Sequence, residues 1–347
     1  MGQESGDLHT SGDRTLGMNR REFLSAAAAV PVALALDPLQ LAALAKGPPV
    51  ALVTADLESH VVVVDLGTGR LLGRIETGPG PRAIEYVRRR FGSRVLVAHT
   101  EHGVVTLIGA ESLSVGAELT TFEEPRYACG SPVGRLGDPL LAYVTDSASE
   151  EVVTLDALGR GRVLWRTHVP GPARHIGISP DGSTIWTALG TAAERVAVLD
   201  ASDPRRPRLA RTIRPPFLAH DVVFAPDGRT VWVTSGDERR IALYTRERRP
   251  RRVLAADAPP QHVAFARDKA FVASGDDGTM HRHLLDGELV REARVPLGSY
   301  NVAFGGSTVV TPSLGGGTVA LLDRNGRVRG VRRIARAAHD ACVVAAS

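Results

Sequence analysis

Seven residues recur at one phase of an internal repeat, and their side chains are suited to two kinds of chemistry. They are Arg82, Arg126, Arg174, His220, Gln261, Tyr300 and His339. The positions immediately after them add Tyr127, His175, Asp221, His262, Asn301 and Asp340, and loops at the same end of the repeat add His99, Glu101, His102, Asp146, Asp276 and Asp277. Imidazoles flanked by carboxylates suit zinc, copper or iron, because a neighbouring carboxylate orients the ligating ring. His99, His175, His220, His262 and His339 are expected to converge, and the pairs His220-Asp221 and His339-Asp340 stand at identical phases of separate repeats. Among them His175, His220, His262 and His339 are the metal candidates, for a divalent or transition ion; no cofactor is assigned.

The arginines point to a different partner. Arg82, Arg126 and Arg174 fall in consecutive units, and a planar guanidinium grips carboxylate or phosphate by paired hydrogen bonds. With a histidine as general base, such a clamp would suit lactonase-like hydrolysis of an anionic substrate. No motif identifies a group that activates water, so no catalytic residue is assigned and binding is preferred to turnover. The expected ligand-binding set is Arg82, Arg126, Arg174, His175, His220, Asp221, His262, Tyr300, His339 and Asp340.

The elements that must position these residues are strands. A unit of about 40 residues recurs between Pro49 and Ser347. Its cycle is clearest where the inner strand Val222-Val223-Phe224 meets the turn Ala225-Pro226-Asp227-Gly228 and then the strand Thr230–Thr234. Proline and glycine at those turn positions favour a tight reversal. A third strand such as Ile241–Thr245 and a more polar outer strand such as Leu71–Thr77 complete the unit. Second and third strands are short, apolar and β-branched, as buried strands are. The predicted fold is all-β, a seven-bladed β-propeller of four-stranded antiparallel blades. The chain starts on a second strand and ends on a lone inner strand, Ala341–Val344, which should close the ring. Alternating strand direction puts the seven recurring positions and the second-to-third loops on one face, the top, around a polar funnel.

Composition narrows the field. The chain has 347 residues, a formal net charge of +4 and two cysteines, which excludes a disulfide-dense scaffold or a four-thiolate cluster. Cys129 and Cys342 occupy equivalent phases with a unit between them, a spacing expected to exceed the roughly 7 Å span of a disulfide. They are read as buried thiols. Arginine clusters at 88–90, 205–208 and 246–252 fall in turns of the bottom face, where they could touch anionic lipid headgroups weakly; nucleic acid is not an expected partner. His281-Arg282-His283 has strand spacing and is read as polar blade surface. No phosphate-cradling loop, Gly-x-Ser-x-Gly elbow or His-Glu-x-x-His helix is present.

Two resemblances add to this reading. The stretches 174–182 (RHIGISPDG) and 220–228 (HDVVFAPDG) resemble the repeat of the YVTN or YncE-like group of seven-bladed propellers, related to the WD40/YVTN repeat-like superfamily. That group includes binding proteins, lactonases and cofactor-bearing oxidoreductases, so the resemblance implies the fold more than the function. The segment Met18-Asn19-Arg20-Arg21-Glu22-Phe23-Leu24, the apolar run 25–45 and Ala43-Leu44-Ala45 resemble a twin-arginine (Tat) export signal with its cleavage site. This implies a signal over 1–45, a propeller over 46–347 and a periplasmic or extracellular protein. The expectation is an exported monomer that binds a small anionic ligand or an extracytoplasmic protein through the top funnel. The alternative is a lactonase-like or metal-dependent enzyme at the same place.

Overall fold

The structure, a computed structural model, describes residues 47–132, 137–245 and 248–344. The expected export signal over 1–45 and part of one basic turn, Arg246 and Glu247, lie outside the described residues. The chain forms strands β1 (Val50–Ala55), β2 (His60–Asp65) and β3 (Leu71–Glu76), then β4 (Ala83–Val87), β5 (Arg94–His99), β6 (Val104–Gly109) and β7 (Ser114–Leu119). Next come β8 (Pro125–Gly130), β9 (Leu141–Asp146), β10 (Glu151–Asp156) and β11 (Arg162–His168), followed by β12 (Ala173–Ile178), β13 (Thr184–Leu189), β14 (Val196–Asp200) and β15 (Arg208–Ile213). They continue as β16 (Val222–Phe224), β17 (Val231–Ser235), β18 (Arg240–Tyr244) and β19 (Arg252–Ala255), and as β20 (Val263–Ala266), β21 (Lys269–Ser274), β22 (Thr279–Leu284) and β23 (Leu289–Arg294). The last are β24 (Ala303–Gly305), β25 (Thr308–Ser313), β26 (Thr318–Asp323), β27 (Val328–Arg333) and β28 (Ala338–Val344).

These strands make seven antiparallel four-stranded sheets, one per repeat. Blade 1 is completed by the last strand of the chain, with Val50 opposite Val344 and Leu52 opposite Cys342. The ring therefore closes as the sequence predicts, with a closing strand that starts earlier, at Ala338 rather than Ala341. Closure removes the open edges a β-sheet otherwise exposes.

Middle strands are covered on both faces by neighbouring blades, so they carry continuous apolar runs rather than alternating ones. Val61 to Val64 of β2 are all fully buried. Between blades 4 and 5, Trp186, Val198, Phe224 and Tyr244 share one cluster, with Trp186 edge-on to Tyr244 at 5.4 Å between ring centroids. Outer strands face solvent over most of their length, as in β27. Side chains close the bottom turns, Asp227 accepting from the backbone N–H groups of Arg229 and Thr230 at 2.8 and 2.9 Å.

His281 and His283 correct the reading of their strand as blade surface, because both are buried within blade 6. His283 packs edge-on to Trp232 at 5.8 Å, and its Nδ1 lies 3.0 Å from the Gly287 carbonyl. Period-two spacing does place them on one face, but it is the face that meets the neighbouring blade. Cys129 and Cys342 are buried free thiols, as expected.

A threonine near the end of the second strand links blades at the height of the recurring positions. Thr54 Oγ1 donates to the Arg82 carbonyl at 2.8 Å and accepts from the Asp340 N–H at 3.0 Å. Thr145 bonds the Arg174 carbonyl and the Tyr127 N–H in the same way at 2.6 and 3.0 Å. Thr234 does so for the Gln261 carbonyl and the Asp221 N–H at 2.6 and 3.2 Å. One hydroxyl thus fixes its own inner strand against the next blade, which holds the top of the channel rigid.

Candidate functional site

Side chains alternate along an inner strand, so residues two apart share a face. The central cavity is lined by Ala83, Tyr127, His175, Asp221, His262, Asn301 and Asp340 at one level, and by Glu85, Cys129, Gly177, Val223, Ala303 and Cys342 two residues further on. The tier facing the channel is therefore one residue past the recurring positions, none of which lines the cavity. Strand register explains part of this. Pairing is irregular between Pro125 and Ala128, between Ala173 and Ile176, and opposite β28 near Ala338. Irregularities of this kind re-aim side chains.

His175, His220 and His262 come together, each offering a ring nitrogen, and these atoms lie within 4.8 Å of one another. Ring centroids are 4.4 Å apart for His175 and His220, 4.7 Å for His175 and His262, and 5.3 Å for His220 and His262. Tyr127 covers the group, 4.3 Å from His175 and 5.5 Å from His262. His175 is buried, and neither of its ring nitrogens makes a well-formed hydrogen bond, the His220 backbone acting on it only weakly. Buried polar atoms are nearly always satisfied, so two unsatisfied nitrogens on one ring leave it free to take a further partner. The flanking rings are oriented from behind. His220 Nδ1 lies 3.2 Å from the Thr191 carbonyl, and His262 Nδ1 faces Asp221 Oδ2 at 3.6 Å, ion-pair range but long for a hydrogen bond.

Burial, reinforced by the neighbouring imidazoles and Arg174, holds His175 well below the ordinary histidine range. Burial, followed by the charge of His262, depresses His220 to about 4. Both are therefore neutral at pH 7, the form in which imidazole ligates a metal. Burial pushes the Tyr127 phenol up to about 12. These three histidines could hold a metal ion, and the donor set suits zinc, copper or iron.

The remaining expected residues divide. His339 is depressed to about 3 by burial and then by Arg82, and its Nδ1 lies 3.0 Å from the Arg82 carbonyl; it stays outside the three-histidine group. His99 does not converge on the funnel. It is buried, with Nδ1 2.9 Å from the Pro79 carbonyl and Nε2 2.9 Å from Thr106 Oγ1, so both nitrogens are occupied by its own blade. Tyr300 donates to Asp276 Oδ1 at 3.0 Å, and Gln261 donates to Asp276 Oδ2 at 3.2 Å, forming a polar patch that is not part of the cavity lining.

Asp221 and Asp340 are equivalent in structure as in sequence. Asp221 accepts from the N–H groups of Val222 and, in the next blade, Val263 at 2.8 and 3.2 Å. Asp340 accepts from Ala341 and, in the next blade, Ile84 at 2.8 and 3.1 Å. The carboxylates thus bind blade to blade, as His339 and His220 also do through the Arg82 and Thr191 carbonyls. Glu85 is a lining residue the sequence reading missed. Its signal was an acidic residue in the apolar strand Ile84-Glu85-Tyr86, in the register of Cys129 and Cys342.

Gly177 sets how close blades 4 and 5 come below the site. A Cβ there would stand 2.5 Å from the Val222 carbonyl oxygen, which is backbone and cannot rotate away. Gly177→Ala is expected to destabilise the protein by about 1–3 kcal/mol, the usual cost of overpacking. It should also separate His175 from His220 and weaken any metal bound between them; thermal melts with and without zinc measure both effects.

No protein-family model matches the sequence, and no curated protein matches it. Solved structures match at the level of fold. A functionally unknown protein from Desulfotomaculum acetoxidans superposes with a TM-score of 0.72 at 15% identity, covering 86% of this chain and 99% of that one. Apo AztD from Citrobacter koseri gives 0.65 at 13%, covering 86% and 98%. Virginiamycin B lyase from Staphylococcus aureus gives 0.58 at 15%, covering 74% and 84%. At these identities the likeness establishes the seven-bladed scaffold, and function has to be argued from the site.

Proposed function

We propose that the protein is a metal-binding β-propeller that holds a divalent transition ion, zinc first, on His175, His220 and His262, with one coordination position left open towards the funnel. One observation carries this reading: the His175 ring is buried with neither nitrogen in a well-formed hydrogen bond, between two other imidazoles. Without a ligand that arrangement costs about 1–3 kcal/mol for each unsatisfied group. A bound ion would convert the cost at one of the two nitrogens into a bond. Tyr127 and the walls of the cavity shield the site, and the Asp221 carboxylate behind His262 is the kind of partner that raises ligand basicity.

The role we propose is binding or carriage of the ion, and the two cysteines of the cavity take no chemical part in it. The thiols of Cys129 and Cys342 are raised well above the ordinary range by burial and then by Glu85, so they stay protonated and unreactive. The resemblance of residues 1–45 to a twin-arginine export signal supports a role outside the cytoplasm, where a protein folded before export would arrive with its site formed.

Titration of metal-free protein with Co2+ tests the reading. A single equivalent should bind, give the visible absorption of a four-coordinate ion, and be displaced by zinc. Absence of saturable binding at micromolar ion would refute it.

A further inference from the structure

The mouth of the funnel carries charge that the three-histidine group does not explain. Arg82, Arg126 and Arg174 lead into the inner strands of blades 2, 3 and 4. Thr54 and Thr145 pin the Arg82 and Arg174 carbonyls in place. Two of the guanidinium groups have carboxylate partners: Arg82 Nη1 meets Asp56 Oδ2 at 3.5 Å, and Arg126 Nη2 donates to Glu124 Oε1. Arg174 has no ion-pair partner among the described residues, and the Nε atoms of both Arg126 and Arg174 are buried without a hydrogen-bond partner. The three residues occupy equivalent positions at the starts of the neighbouring inner strands β4, β8 and β12, which pack side by side around the channel. Arg174 thus lacks a carboxylate of its own and immediately precedes His175 in β12, while the Asp221 and Asp340 carboxylates of the next tier are engaged by backbone N–H groups.

We propose that Arg82, Arg126 and Arg174 form an oxyanion-binding site at the funnel mouth, taking a small carboxylate- or phosphate-bearing molecule whose oxygen fills the coordination position that the three histidines leave open. The guanidinium groups supply forked donors that match two oxygens of such an anion. A divalent ion below would add attraction for the same ligand, and the anion would in turn offset the charge of the ion and of Arg174. Only the last step, the shared oxygen, rests on the metal reading; the arginine site stands without it.

Calorimetric titration with inorganic phosphate and with oxalate at low ionic strength tests the proposal, using metal-free and zinc-loaded full-length protein. Metal-free protein should bind at least one probe, and zinc should tighten that binding by about tenfold or more, the scale of one added charge-assisted contact. Phosphate and oxalate arms separate the two ligand chemistries. Arg174→Gln should weaken binding by about tenfold, Arg174→Lys should fall between it and wild type because it keeps the charge and loses the fork, and Arg88→Gln on the bottom face should change nothing. His175→Leu should keep the zinc-free binding and lose the enhancement. Neither probe binding, or Arg174→Gln and Arg174→Lys both binding like wild type, overturns the arginine site. Arg174-dependent anion binding that zinc does not enhance overturns the shared oxygen, and if zinc itself fails to bind, the metal reading falls while the arginine site survives.

Discussion

Replacing His175 with leucine should abolish high-affinity zinc binding and leave the metal-free protein as stable as wild type or more so. The two halves of this result have one cause. In the metal-free protein His175 contributes two desolvated nitrogens and no well-formed hydrogen bond, so removing them relieves a penalty of about 1–3 kcal/mol per group. That relief offsets the packing lost against Tyr127 and His220. With zinc present the balance reverses. Disrupting groups that merely orient a ligand costs about 10–100-fold in affinity, and loss of one of three ligands should exceed that. Zinc at a thousandfold excess over its Kd stabilises a folded protein by about 4 kcal/mol, so wild type should gain several degrees in Tm and His175→Leu almost none. Melting curves of both proteins with chelator and with zinc read the whole pattern. An ordinary structural histidine would give the opposite: His175→Leu clearly less stable with chelator, and no zinc effect in either protein.

Glu85→Gln should stabilise the protein increasingly as the pH is raised. By surface area Glu85 retains some access to solvent, but that solvent is enclosed in the channel, and a charge there is effectively buried. Burial, followed by the charge of Asp340, pushes its carboxyl up to about 8; burial likewise lifts Asp340 to about 6. A carboxyl whose folded pKa is raised binds protons more tightly in the folded state. Its contribution is fully present below the unfolded value of about 4.3 and is lost as pH rises towards 8. Glutamine keeps the shape and the neutral state without the titration, so its advantage over wild type should be small at pH 5 and on the order of a few kcal/mol at pH 9. The histidines act in the opposite sense. His175, His220 and His339 have folded pKa values depressed below the ordinary value of about 6.5, so their contribution is present above that pH and lost as pH falls towards 4. Tm against pH for wild type and Glu85→Gln measures both limbs, and parallel curves would show that Glu85 is not held protonated.

Much of the scaffold was legible because local chemistry and global architecture agree. The Pro-Asp-Gly turns, the buried β-branched runs and the leftover inner strand each determine a piece of the propeller, and together they set blade number and closure. The site was legible only to within a residue. The repeat identified the positions held by Arg174 and His220 as the ring, whereas the channel is lined by the next residue along, as at His175 and His262. A repeat shows which positions are equivalent but does not say which side of the strand faces the axis. That depends on the register irregularities at the tops of blades 1, 3 and 4.

His99 shows the same limit from another side. Its type and loop position matched those of a ligand, and only the closeness of Pro79 and Thr106 committed both nitrogens elsewhere. By itself the sequence determined that seven blades enclose a channel whose mouth carries arginines on early blades and histidines on later ones, because turn signals and strand periodicity are local properties. Tertiary structure decided which histidines meet, which are already bonded, and that Asp221 and Asp340 bind blade to blade, because those outcomes depend on distances between residues far apart in the chain.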